Sequence, residues 1–167
     1  VVRNFLSSVD EVILVLGYEA ERVRRGLKVA DRRLKVVVNS DYKQGLSSSI
    51  KVGLKHVDAG SSAFLIALGD QPLIKVSIVD RLVDAYLGGG SGIVAPVYKG
   101  VRGHPVLFSI VYKDELMMLE GDVGAKVIIE RHRSDVKEVE VDSPSILIDI
   151  DSEEDYLHYQ TVDSGKS

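Results

Sequence analysis

Residues 64–72, Phe-Leu-Ile-Ala-Leu-Gly-Asp-Gln-Pro, constrain the fold of this chain more than any other stretch. Five apolar residues in succession, preceded by Gly60-Ser61-Ser62 and followed by Gly69, read as a strand over Phe64–Leu68 buried on both faces. Strands of that kind lie inside a parallel sheet with helices on each side. In open α/β sheets the carboxyl edge of such strands is where ligands bind. Gly69 permits a turn, and Asp70 emerges at that edge ahead of Gln71 and the rigid Pro72. A carboxylate in this position suits a divalent cation carrying phosphates; it suits equally well a simple cap of the next turn.

The rest of the chain alternates in the way a parallel sheet requires. Strands are expected at Val12–Leu16, Leu34–Val38 and Ile93–Val97. Helices are expected at Val1–Ser8, Glu19–Leu27, Ser47–Val57 and Ile74–Leu87. This alternation predicts right-handed crossovers. Beyond Val97 the expected order is strand Val106–Phe108, helices Ile110–Leu119 and Ala125–His132, strands Glu138–Val141 and Ile146–Ile150, and a closing helix Ser152–Tyr159. That strand-denser last third leaves room for an antiparallel arm. Gly88–Gly92 runs from a helix into a strand, the reverse of a phosphate-cradling loop, and reads as a connector. One domain over residues 1–160 with a polar tail at 161–167 is the expected organisation.

Composition narrows the function classes. A net charge of −4 gives no global attraction to nucleic acid or anionic membrane. The absence of cysteine excludes thiolate catalysis and cysteine-ligated zinc and is compatible with a cytoplasmic location. No apolar run reaches the ~18 residues of a spanning helix. The sequence opens on Val1 rather than Met, with an uncapped helix, which leads us to expect a longer native polypeptide.

Besides Asp70, three places carry candidate chemistry. Ser47-Ser48-Ser49 opens a helix after a strand and loop, so its hydroxyls and free amides are expected to face outward together. They suit a nucleotide base or ribose, with Gly45 allowing close backbone approach; one capping serine and two solvated ones is the competing account. In Leu147-Ile148-Asp149-Ile150-Asp151 the two acids are two apart, so on a strand they share a face. Like charges so placed need a cation or solvent between them, unless they merely mark a strand end and a helix start. Gly103-His104-Pro105 holds the one histidine in a distinctive setting, as a hydrogen-bonding wall or a general base. His56, His132 and His158 have no partner spacing, and there is no Gly-x-Gly-x-x-Gly, His-Glu-x-x-His or defensible Ser-His-Asp order.

Taken in order, several segments resemble the nucleotidyltransferases of molybdenum-cofactor biosynthesis, nearest the CTP-using cytidylyltransferase type. They are Val36–Asn39, Gly45–Leu54, Leu68–Pro72, Ala95–Tyr98 with Gly100, Gly103–Pro105, Glu120–Ala125 and Asp149–Asp155. Each is weak alone; together they are collinear over nearly the whole chain. The resemblance implies a Rossmann-like three-layer α/β sandwich with a mostly parallel sheet. It implies transfer of a nucleoside monophosphate from CTP to a molybdopterin-type acceptor with release of pyrophosphate. By the same resemblance Asp70 holds Mg²⁺, with Asp149 or Asp151 completing the metal site. Asn39, Gly45, Ser47, Ser48, Ser49, Gly69 and Gln71 are assigned to the nucleotide, and Gly103, His104 and Asp122 to the acceptor. A molybdoenzyme receiving the product is an expected partner; nucleic acid and membrane are not. An ionised acceptor phosphate needs no strong base, so positioning and charge neutralisation suffice.

The family's opening strand and its glycine-rich loop bearing Arg and Lys have no counterpart from Val1 onward. In the strand order 3-2-1-4 that the resemblance implies, the first strand falls between Val12–Leu16 and Phe64–Leu68. A longer native protein, another chain or an altered pairing is expected to fill that place, and the 167 residues as they stand are expected to lack much triphosphate affinity. The rival readings are a guanylyl, sugar-phosphate or alditol-phosphate nucleotidyltransferase, an accessory factor handling cofactor for one dehydrogenase, and a catalytically idle nucleotide- or partner-binding module.

Overall fold

A computed structural model describes residues 1–150. The predicted helix at Ser152–Tyr159, the tail and Asp151 lie outside the described residues. The elements run α1 (Val2–Leu6), β1 (Val12–Leu16), α2 (Ala20–Gly26), β2 (Leu34–Val38), α3 (Leu46–Leu54), β3 (Ala63–Ile66) and α4 (Val76–Leu87). They continue with β4 (Ile93–Tyr98), β5 (Val101–Arg102), β6 (Val106–Ser109), α5 (Lys113–Met117), α6 (Lys126–Arg131) and β7 (Val136–Glu140). Single 3-10 turns at Tyr42–Gln44, Ile110–Tyr112, Arg133–Asp135 and Pro144–Leu147 join them.

The strands form two sheets. β1 and β2 pair in parallel, Val12 opposite Leu34 through Leu16 opposite Val38. The second sheet runs β3-β6-β4, with β7 parallel on the other edge of β4 and short β5 antiparallel to the end of β4. β6 is antiparallel to both β3 and β4, so the expectation of a mostly parallel sheet holds only in part. The reversal has a local cause. Lys99 and Gly100 adopt φ of 50° and 81° and close a two-residue hairpin between Tyr98 and Val101. A primed turn of that kind folds the chain straight back, and β6 follows in the returning direction. Pro96, which has no N–H to donate, falls on β4 between the residues paired with β6 and those paired with β5.

The core lies around β4, whose Ile93, Val94 and Ala95 are wholly buried. On one face Ile93, Ala95, Val106 and Phe108 pack against Ile50 and Leu54 of α3, Leu116 of α5 and Ile128 of α6. On the other face lie Ile78, Val79 and Leu82 of α4, with Phe5 of α1. Helices therefore cover both faces, giving the three-layer arrangement. β3 alternates between them, Phe64 and Ile66 toward the first face and Leu65 toward the second. It is nonetheless half-buried along its length, which corrects the expectation of a strand enclosed on both faces.

The predicted strand at Ile146–Ile150 is also corrected. Ser143 accepts a hydrogen bond from the amide of Ser145, and Pro144 starts a helical turn that ends at Leu147. A proline with preset φ behind a serine cap favours that turn over extension, and the alternating isoleucines do not overcome it. Asp149 therefore leaves from a loop, and the argument that placed Asp149 and Asp151 on one strand face does not apply.

Candidate active site

The chain leaves β3 at Ile66 and turns through Gly69, delivering an exposed Asp70 at the carboxyl end of the strand as the sequence predicts. Gln71, beneath it, is 3% exposed, and its Nε2 donates to Oδ1 of the exposed Asp149 at 2.8 Å. The amide of Ile150 donates to the carbonyl of Asp70 at 2.8 Å. These two bonds tie the loop after Pro144–Leu147 to the loop after β3, so acids 79 positions apart in the chain come to one surface.

His104 completes this group. Its backbone is fixed by Gly103, whose amide donates to Pro96 at 3.0 Å, and by its own amide donating to Ile146 at 3.1 Å. A Cβ on Gly103 would stand 2.2 Å from the Ile146 carbonyl oxygen, so only glycine allows this approach. The His104–Pro105 bond is cis. Burial lowers the imidazole pKa from its ordinary value, opposed by the Ile66 carbonyl and by the charges of Asp149 and Asp70. The ring is therefore neutral at pH 7, and both acids are close enough to act on it. Among the described residues, His104 Nδ1 and Gln71 Oε1 are buried without a hydrogen-bond partner. Buried polar groups are ordinarily paired, and unpaired ones mark places that a ligand or water satisfies.

The second group surrounds the start of α3. Gly45 has φ of 97°, and a Cβ there would lie 2.6 Å from the Asp122 Cα. Asp122 Oδ1 accepts from the amide of Leu46 at 3.1 Å, and Ser47 Oγ donates to the Gly121 carbonyl at 2.6 Å. Asn39, 2% exposed, donates to Ser48 Oγ at 2.8 Å and Ser49 Oγ at 3.0 Å, while its Oδ1 accepts from the amide of Asp41. Ser48 in turn donates to the carbonyl of Gly45. The serine hydroxyls are thus engaged inward, and the expectation that all three face outward is corrected. The pairing also draws Asp122 to Gly45 and Ser47. Beside the two groups runs a cleft of about 440 Å³, lined by Leu46 and Ser49, by Leu68 and Gly69 and by apolar residues of β1, α3 and β3; Asp70, Gln71, His104 and Asp149 are not among its lining.

The donor set bears on a metal. Asp70 and Asp149 offer hard carboxylate oxygens, and no group of three or more ligating side chains assembles among the described residues. Two carboxylates fit a cation that keeps waters and phosphate oxygens, as Mg²⁺ does, and do not fit a fully protein-caged ion. Sequence reasoning missed the link through Gln71. Its burial next to an exposed acid leaves no mark in local spacing.

Comparison with known proteins settles the class. The sequence model of the MobA-like NTP transferase domain matches residues 1–136. The chain belongs to that family. It is accordingly a nucleotidyltransferase. It is 24% identical over 159 residues to the molybdenum cofactor cytidylyltransferase of Escherichia coli (strain K12), covering 93% of this chain and 77% of that protein. The structure of Rv0371C from Mycobacterium tuberculosis, in complex with manganese, superposes with a TM-score of 0.77 at 30% identity, covering 94% of this chain and 80% of that one. The 4-diphosphocytidyl-2C-methyl-D-erythritol synthase of Anaerococcus prevotii shares the fold, with a TM-score of 0.73 at 19% identity over 92% of this chain and 78% of that one. No described helix is long and apolar enough to cross a membrane.

Proposed function

We propose that this nucleotidyltransferase transfers CMP from CTP to a molybdopterin-type acceptor and releases pyrophosphate. The observation that carries the reading is the shared surface of Asp70 and Asp149, joined through Gln71 and both acting on His104. The E. coli cytidylyltransferase resemblance supports the base and the acceptor.

In this reading Asp70 and Asp149 hold Mg²⁺, with Asp151 as a further candidate ligand. When bound, the ion neutralises charge on the nucleotide phosphates. An oxygen of the acceptor's terminal phosphate attacks the α-phosphorus, and the bond from that phosphorus to the pyrophosphate oxygen breaks. The nucleophile is already ionised, so no side chain need remove a proton. Gln71 fixes the Asp149 carboxylate by donating to one of its oxygens. Gly45 and Ser49 face the base and ribose, with Gly69 beside the phosphates. Asn39, Ser47 and Ser48 hold that wall in shape, and Asp122 secures the start of α3. Neutral His104 and Gly103 form the acceptor side.

The test is pyrophosphate release by the full-length protein with Mg²⁺, a molybdopterin acceptor and saturating CTP or GTP. Release with CTP is expected, and Asp70→Asn should reduce it by about 10²-fold or more, as loss of a group neutralising transition-state charge does. Release with GTP alone moves the assignment to the guanylyl branch. No release with either nucleotide overturns it.

A further inference from the structure

α3 begins without a cap of its own. Gly45 stands at its N-cap and supplies no side-chain hydrogen bond. The first amides of a helix find no partner within it. The amide of Leu46 is served instead from 76 positions away, where Asp122 Oδ1 accepts it at 3.1 Å. A carboxylate in that place also meets the positive end of a nine-residue helix. The glycine and the distant acid depend on one another. A Cβ on Gly45 would stand 2.6 Å from the Asp122 Cα and 2.7 Å from its amide nitrogen. A serine or aspartate at position 45, able to cap α3 by itself, would therefore expel the residue that now does so.

Asp122 stands at the tip of a helical hairpin made by α5 and α6. Buried Leu119 and Ala125 anchor the tip at its two ends. At the other end of the hairpin Glu115 of α5 pairs with Arg131 of α6 and contacts His132 at 2.7 Å. The body of the hairpin seats α3, since Leu116 and Ile128 share one core cluster with Ile50 and Leu54. The tip adds two contacts to the Asp122 cap. Buried Ser47 donates to the carbonyl of Gly121 at 2.6 Å, and a Cβ on Gly124 would lie 3.1 Å from Leu46 Cδ2. On the other side Asn39 holds Ser48 and Ser49. Residues 45–49 are thus held from two directions, by the end of β2 and by the hairpin tip. Gly45, with φ of 97° and no side chain, is the member least able to keep this shape alone, and it is the one the tip packs against.

We infer that the tip of the α5–α6 hairpin is a clasp that sets the nucleotide wall, and that Asp122 is a positioning residue acting on the nucleotide through Leu46 and Gly45, without touching the acceptor. The inference rests on the reading of Gly45 and Ser49 as the wall that faces base and ribose. With the clasp closed, the wall stands in its binding shape before the nucleotide arrives. With the clasp lost, Gly45 visits other conformations, and the apparent affinity falls in proportion to the fraction of molecules whose wall is formed. The effect is reciprocal: a nucleotide that binds the formed wall tightens the clasp by the same factor.

The test is calorimetry of nucleotide binding to the full-length protein with Mg²⁺, using whichever of CTP and GTP the wild type binds more tightly, beside amide exchange at Leu46. Asp122→Ala should weaken nucleotide binding by about tenfold and speed exchange at Leu46 by a similar factor, with KM for the acceptor unchanged. Asp122→Asn keeps an oxygen that accepts from Leu46, and asparagine caps helices as well as aspartate does, so this variant should stay within about twofold of the wild type in all three measurements. Equal losses in the two variants overturn the inference, because the charge of Asp122 and not its capping oxygen would then matter. A raised acceptor KM with unchanged nucleotide affinity also overturns it, since that is the mark of an acceptor contact. Normal nucleotide binding by Asp122→Ala sinks the clasp and leaves the proposed reaction standing. A wild type that binds nucleotide but transfers nothing to a molybdopterin acceptor sinks that reaction, and the loss in Asp122→Ala with retention in Asp122→Asn still upholds the clasp. A wild type that binds neither nucleotide overturns both.

Discussion

β1 and β4 are equally apolar in sequence, yet they end in opposite circumstances. β4 has β7 along one edge and β6 and β5 along the other, and Ile93, Val94 and Ala95 are wholly buried. Among the described residues β1 pairs only with β2, and Val12 to Val15 remain half-buried. The same contrast separates β6, with its buried Val106, Leu107 and Phe108, from its neighbour β3. An apolar run states how much burial a strand requires; its edge partners decide whether the requirement is met. The molecule thus has a closed half around β4 and an open half at the cleft, whose lining includes Ser49 and Gly69.

The largest expected consequence is in core substitutions. Phe108 is wholly buried, stacked on Phe64 at 5.9 Å and edge-on to Tyr112 at 6.4 Å. Phe108→Ala should cost about 3–5 kcal/mol in urea denaturation. Ile13→Ala, on the half-buried strand, should cost less, about 2 kcal/mol, because part of its side chain still meets water. Equal losses would break the contrast.

A smaller effect is expected at the polar bracket of the closed half. Tyr112 donates to Asp135, and Asp135 also accepts from the amide of Gly92, just before β4 begins. Burial, then the Asp135 contact, pushes the phenol up to about 12. His132 packs on Tyr112 and contacts Glu115, which also pairs with Arg131. Tyr112→Phe should cost about 1–2 kcal/mol by chemical denaturation, the usual consequence of removing one partner of a part-buried bond. A neutral result would mean that packing alone fixes the start of β4.

How much of this could be read from the sequence depends on the range of the interactions. Asp70 at the end of its strand and Gly45 ahead of α3 follow from local turn chemistry, and both stand where that chemistry puts them. The direction of β6 was not legible, because a short apolar run such as Val106–Phe108 reads the same in either sense. The turn at Lys99-Gly100 carried the signal, since only a hairpin needs two successive left-handed residues there. Ile146–Ile150 misled because alternation was weighed above Ser143 and Pro144. The inward bonding of Ser47 and the network of Tyr112, Asp135, His132 and Glu115 join residues far apart in the chain, and no spacing announces them.

The smallest effect concerns His104. Its folded pKa lies below the ordinary 6.5, chiefly through burial. The unfolded chain therefore binds the proton more readily, and stability rises with pH across the interval between the two values. The contribution is complete above pH 6.5 and is lost as pH falls through the lower, folded value. Urea midpoints measured from pH 5 to pH 8 should show this slope, and His104→Gln should flatten it.

The central claim is that Asp70 and Asp149 hold one divalent cation between them. Paramagnetic broadening by Mn²⁺ in the NMR spectrum of the labelled chain tests it most directly. The account predicts that the amides of Gly69 to Gln71, His104 and Ile150 broaden first, and that Asp70→Asn removes the effect. Broadening centred on other acids, such as Asp31 or Glu115, or broadening at the predicted amides that survives Asp70→Asn, would contradict it.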